Sequence, residues 1–186
     1  LLAMAGADAT RASEVAGRDL PGRDASGVLA RAATAEVNAV RDAALYTYSG
    51  IATNDSELIG IIAQARAAGQ DPKAAVQAAG YRPNLKKRGS LRSAFDGRYR
   101  LTRYFSPIER NTPQTLDELF QWNDVELFDL QNDPGEMVNL AMNRTANEAV
   151  LTRMNNHLNT VMQREFGADD GREMPPVEGV DWSIDR

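Results

Sequence analysis

The spacing of apolar residues changes near position 90. Before it, apolar residues recur every three or four places between good helix punctuation. Asn54 and Glu57 have capping-box spacing ahead of Leu58, Ile61, Ile62 and Ala65, with Gly69 as the stop. Asp71-Pro72 opens a second helix that Gly80 closes. Ser26 stands where it caps a helix over Val28, Leu29, Ala32, Ala33 and Val37, and Ala43–Gly50 has strand composition. From Leu91 the pattern alternates. Leu91–Phe95 and Arg98–Phe105 flank Asp96-Gly97, which reads as a two-residue type I′ hairpin loop. Val125–Leu130 supplies a third antiparallel strand, after a helical turn over Leu116, Leu119 and Phe120. An Asp133-Pro134-Gly135 turn follows, and a helix-like segment opens at Glu136.

Helical spacing then returns. Thr145 and Glu148 form a further capping box, and Val150, Leu151, Met154, Leu158, Val161 and Met162 share one face up to Gly167. The fold class is therefore α+β, a small antiparallel sheet packed by a long amphipathic helix near the carboxyl end. Residues 168–186 are rich in Pro, Gly and acid and are expected to run over the surface or fray.

Composition narrows the class without deciding it. With 186 residues, 42% hydrophobic, 25% charged and a net charge of −5, the chain can build a real core. The mild acidity speaks against a dedicated nucleic-acid binder. Absence of cysteine excludes disulfides and thiolate sites. No apolar run approaches the roughly 20 residues that cross a bilayer, so no membrane span is expected. The chain opens at Leu1-Leu2-Ala3-Met4 without an initiator or a leader pattern, as if inside a buried helix that Gly6 ends. It reads as a fragment of unknown compartment.

The run Glu126-Leu-Phe-Asp-Leu130, Asp133-Pro134, Glu136 and Asn139-Leu140 follows the pattern E-L-[FY]-D-L-x-x-D-P-x-E-x-x-N-L. It resembles a stretch near the carboxyl end of sulfatases, the sulfuric-ester hydrolases of the alkaline-phosphatase superfamily. Asp96–Pro107, D-G-R-Y-R-L-T-R-Y-F-S-P, is similar to a strand of that family, with Arg100 where lysine is common. L-L-A-M-A-G at the start, and L-P-G-R-D over 20–24, are similar to the elements after its last catalytic-domain helix. The resemblance implies residues 1–50 as the end of a catalytic α/β domain and 91–186 as the carboxyl-terminal subdomain, and the helical pair between them, 51–90, reads as an insertion outside the resemblance. It also implies a parent that hydrolyses sulfate esters with a formylglycine and a calcium ion. Both would come from the missing amino-terminal half, the implied partner of this stretch.

The chain carries neither itself. Formylglycine is made from the Cys or Ser of C/S-x-P-x-R, and the nearest approach, Ser106-Pro107-Ile108-Glu109-Arg110, has its proline one place early and reads as a strand end and turn. A calcium site needs clustered oxygen ligands, and the one adjacent Asp pair, Asp169-Asp170, reads as a solvated loop. No catalytic, cofactor-binding or metal residue is assigned. His157, the only histidine, reads as a half-buried structural residue at the edge of the apolar stripe. Glu126 and Glu136 read as a strand position and a helix N-terminal acid rather than a glycosidase pair.

One charge asymmetry remains. Arg82, Lys86, Lys87, Arg88, Arg92, Arg98, Arg100 and Arg103 form a basic series interrupted only by Asp96. It is a solvated face, an anion-attracting rim with Lys86, Lys87 and Arg88 at a substrate mouth, or a nucleic-acid contact. The functional alternatives are a phosphonate or phosphate-ester hydrolase of the same superfamily and a stand-alone anion-binding module.

Overall fold

A four-stranded antiparallel sheet, in the order β1-β2-β3-β4, organises the chain in a computed structural model that describes residues 4–6, 8–17, 22–50, 55–109 and 111–168. The strands are β1 (Ala44–Tyr48), β2 (Ser90–Phe95), β3 (Tyr99–Phe105) and β4 (Asn123–Asp129). The helices are α1 (Ala9–Ala16), α2 (Ser26–Leu29), α3 (Ser56–Ala67), α4 (Pro72–Ala78), α5 (Leu116–Trp122) and α6 (Glu148–Glu165). The α+β reading holds, with α6 lying across β1, β2 and β3.

Register places one apolar row under the helix. Leu45 pairs with Ala94, Ala94 with Leu101, and Leu101 with Leu127. That row meets Leu151, Met154, Leu158 and Met162 of α6 and Leu116 and Leu119 of α5 in one core. The next row, Tyr46-Ser93-Thr102-Glu126, points to the opposite face because strand side chains alternate. There Ser93 and Thr102 satisfy each other, Oγ to Oγ1 at 2.9 Å, so both can be buried without a lone hydroxyl.

Several local expectations change. Residues 44–48 belong to the same sheet as 90–129, so a boundary at residue 50 runs between two paired strands. The hairpin loop is Gly97-Arg98, not Asp96-Gly97, because Phe95 pairs with Arg100 and the Asp96 N–H donates to the Tyr99 carbonyl. Only Gly97 has positive φ, at 98°, which is the first-position pattern of a type II′ turn rather than type I′. The Asp96 carboxylate accepts from the N–H groups of Arg98 and Tyr99 at 2.9 and 2.6 Å and holds the turn.

Helix starts shift similarly. The α3 cap is Asp55, whose Oδ1 accepts from Glu57 N and Leu58 N, whereas Asn54 lies outside the described residues. Thr145 does not cap α6; the helix starts after Asn147 with no side-chain cap. A reciprocal capping box occurs instead at Thr115 and Glu118 of α5. Ser26 lies inside a single turn, α2, and a separate 3-10 turn covers Ala32–Thr34, so no continuous helix reaches Val37. Glu136 opens no helix. It sits at φ 55°, and the 3-10 turn comes later, at Leu140–Met142. Leu1 to Ala3 lie outside the described residues, and Met4 is exposed.

Candidate functional site

The Lys86-Lys87-Arg88 segment lies on the loop between α4 and β2, beside a cleft of about 350 Å³ whose wall includes Asp55, Asn84, Lys87, Arg88, Gly89 and Tyr104. Asp55 is 99% hidden, and it both caps α3 and accepts from Lys87 Nζ at 2.8 Å. The Lys87 contact, helped by the two backbone N–H groups, holds its carboxyl below the ordinary range against the opposing effect of burial. Arg88 forms a second tie, with Nη1 on Asp124 Oδ1 at 2.7 Å and Nη2 on the Gln121 carbonyl at 2.8 Å. Gly89 is required behind the cleft, because a Cβ there would sit 2.9 Å from the Gly50 carbonyl oxygen. Tyr104 donates to Glu126 Oε2 at 2.9 Å, and burial followed by that carboxylate raises its phenol pKa.

Positive charge at the cleft is therefore largely matched. Lys86 and Lys87 are both exposed; Lys87 is paired with Asp55, whereas Lys86 has its N–H held by Asn84 Oδ1 and its ammonium in no ion pair among the described residues. Arg98 grips Asp129 with both ends, Nε to Oδ1 at 3.0 Å and Nη2 to Oδ2 at 2.7 Å. Arg100 pairs with Glu136. Arg92 is buried over the Phe105 ring, 4.8 Å from its centroid. Arg103 is buried with Nη1 between Asn155 Oδ1 (2.9 Å) and Asn159 Oδ1 (2.7 Å). The strand arginines are thus framework groups, at odds with a continuous solvated basic face.

The same contacts give the 126–140 pattern a physical meaning. Asp129 anchors the hairpin through Arg98 and gathers Gln131 N and Asn132 Nδ2, which brings its pKa to about 2, chiefly through Arg98. Asp133 Oδ2 accepts from Val138 N at 2.8 Å and folds the turn back. Asn139 Oδ1 accepts from Leu127 N at 3.0 Å and its Nδ2 donates to Val125 O at 3.1 Å, so one amide replaces a neighbouring strand along the outer edge of β4. Its Oδ1 also caps the 3-10 turn at Ala141 N. Asp129, Asp133 and Asn139 of the motif thus each fix a part of the segment that follows β4 or its contact with the hairpin.

Other candidates resolve plainly. His157 is half-buried, with Nε2 3.1 Å from the Asp42 carbonyl oxygen. Glu126 and Glu136 are bound to Tyr104 and Arg100 respectively, and Glu136 stands before no helix, contrary to the helix N-terminal reading. Ser106 follows the end of β3 at Phe105 and a 3-10 turn covers Pro107–Glu109, while Arg110 lies outside the described residues. Asp169 and Asp170 also lie outside them. Among the described residues no group of acids and His could hold a metal ion.

Two features were missed in the sequence. Asn155 and Asn159 both donate to the Pro113 carbonyl, at 2.7 and 2.8 Å, while accepting from Arg103. Their signal was an i, i+4 amide pair within the apolar stripe of α6. Arg98 and Arg153 both stack on Tyr99, at 4.7 and 5.3 Å from its centroid, and Arg153 reaches back to Asp96 at 2.7 Å. No protein-family model matches this chain, and no curated protein matches it significantly.

Proposed function

We propose that this chain is the carboxyl-terminal part of a sulfatase-like hydrolase and serves that enzyme as a structural, pocket-shaping subdomain. The observation that supports this best is the 126–140 motif: Asp129, Glu136 and Asn139 each bind a different part of one strand-turn joint, as a retained structural signature would. The antiparallel sheet with a long helix across it agrees with the arrangement the resemblance implies.

On this reading the nucleophile, a formylglycine, and a calcium ion belong to the amino-terminal half, the partner of this stretch. They would supply the attacking oxygen and stabilise charge on an anionic ester. The elements before β1 would close the catalytic α/β domain, with β1 itself part of the subdomain's sheet. Lys86, exposed and in no ion pair among the described residues, is the residue placed to attract an anionic substrate at the rim. Lys87 and Arg88 would shape that rim by tying its loop to Asp55 and Asp124.

Peptide-mass mapping of the complete gene product tests the reading. A Cys or Ser of C/S-x-P-x-R carrying the mass of an aldehyde supports a sulfatase. An intact Ser or Thr nucleophile beside a metal-ligand cluster would shift the assignment to a phosphonate or phosphate-ester hydrolase. Neither motif would leave a stand-alone anion-binding module.

A further inference from the structure

Two Asn-x-Ser/Thr triplets, the acceptor pattern for N-linked glycans, occur in the chain: Asn54-Asp55-Ser56 and Asn143-Arg144-Thr145. The fold treats them differently. In the first, Asp55 is buried, caps α3 and binds Lys87, and Ser56 is already the first residue of that helix. Those contacts would have to break before an enzyme could grip the triplet. The second lies between the 3-10 turn at Leu140–Met142 and α6, and all three of its residues are exposed. Asn143 has a non-helical backbone, with φ −116° and ψ 76°. Its Oδ1 accepts from Ala146 N at 3.2 Å, which orients the amide through its oxygen. Its Nδ2 and the Thr145 hydroxyl make no hydrogen bond among the described residues. Arg144 turns away, to Asp117 at 2.6 Å and to the Phe120 ring. A second observation falls on the same loop. Met137, Val138 and Met142 are large apolar side chains, all exposed, within six residues of Asn143.

We propose that Asn143 is an acceptor for an N-linked glycan, which screens the exposed apolar side chains beside it. The co-reactant is an oligosaccharide carried on a lipid diphosphate, brought by an oligosaccharyltransferase. The bond from Nδ2 to the anomeric carbon forms, the carbon–oxygen bond to the diphosphate breaks, the lipid diphosphate leaves, and the amide gives up one proton. The free nitrogen supplies the new bond, and the free hydroxyl two residues on is the group that the transferase reads. A glycan is bulky and solubilising, and clustered surface apolar side chains call for cover. This inference is independent of the hydrolase reading.

The 186-residue chain, directed by a signal peptide into the secretory pathway of a eukaryotic host, should carry one glycan. Peptide mapping should place it at Asn143, and a peptide N-glycosidase should remove it. Thr145→Ala takes away an exposed hydroxyl that bonds nothing in the fold and should abolish the glycan completely. Thr145→Ser keeps the hydroxyl and should retain it, as should Ser56→Ala, which disables the other triplet. Dilute peroxide should oxidise Met142 more slowly in the glycosylated chain than after enzymatic removal of the glycan. A secreted chain without a glycan, a glycan that survives Thr145→Ala, or equal Met142 oxidation with and without it would each overturn the proposal.

Discussion

Asn139→Ala should cost more stability than its position on a half-exposed loop suggests. The side chain makes three hydrogen bonds, to Leu127 N, Ala141 N and Val125 O, at 3.0 to 3.1 Å. A net contribution of about 0.5–1.5 kcal/mol each gives a loss of roughly 1.5–4.5 kcal/mol. The upper half of that range is expected, because Leu127 is buried and its N–H would lose its partner. Urea unfolding followed by circular dichroism measures the effect. With an m-value of about 2–3 kcal/mol/M, the midpoint should fall by about 1–2 M at unchanged slope. Met137→Ala, two residues away and 84% exposed, should shift it by less than about 0.5 kcal/mol. Equal, small effects of both substitutions would mean that the amide does not stand in for a strand, and the structural reading of the motif would fail.

Three further outcomes follow from the same contacts. Gly97→Val places a β-branched residue at φ 98° with its Cβ against Val37 Cγ1, so thermal melts should show a loss of about 1–3 kcal/mol; an unchanged midpoint would argue against the turn. Because Arg98 lowers Asp129 from 3.8 to about 2, the stability it lends is fully present above 3.8 and is lost as pH falls through about 2. Asp129→Asn should flatten that part of an acid titration of the urea midpoint, and an unaltered profile would refute the assignment. In the complete enzyme, Lys86→Glu should lower kcat/KM at low salt, with the deficit shrinking once the Debye length falls to about 10 Å near 0.1 M; a salt-independent loss would point to misfolding instead.

The strands and α6 were legible because their apolar spacing matches what is buried: Leu101 and Leu127 on the sheet, Leu151, Met154 and Leu158 on the helix. Turn and cap details were less so. Asp96-Gly97 resembles a type I′ loop by composition, but the register is set by the Leu45-Ala94-Leu101-Leu127 row, which moves the loop one residue on. Thr145 and Glu148 have capping spacing, yet Asn143, Arg144 and Asn147 form a turn ahead of α6 that starts the helix later. The basic series misled for a different reason. Sequence displays charge but not its partner, and Asp55, Asp124, Asp129 and Glu136 come from elsewhere in the chain to meet it. The Arg103 clasp was hidden because its partners, Asn155 and Asn159, stand 52 and 56 residues away in the chain.

The most direct test of the hydrolase assignment is turnover of an aryl sulfate by the complete gene product and by this chain alone, with calcium and with a chelator. The account predicts chelator-sensitive hydrolysis by the complete protein and only the buffer rate from the 186-residue chain. Calcium-dependent turnover by the chain alone, or none by a folded complete protein, would contradict it.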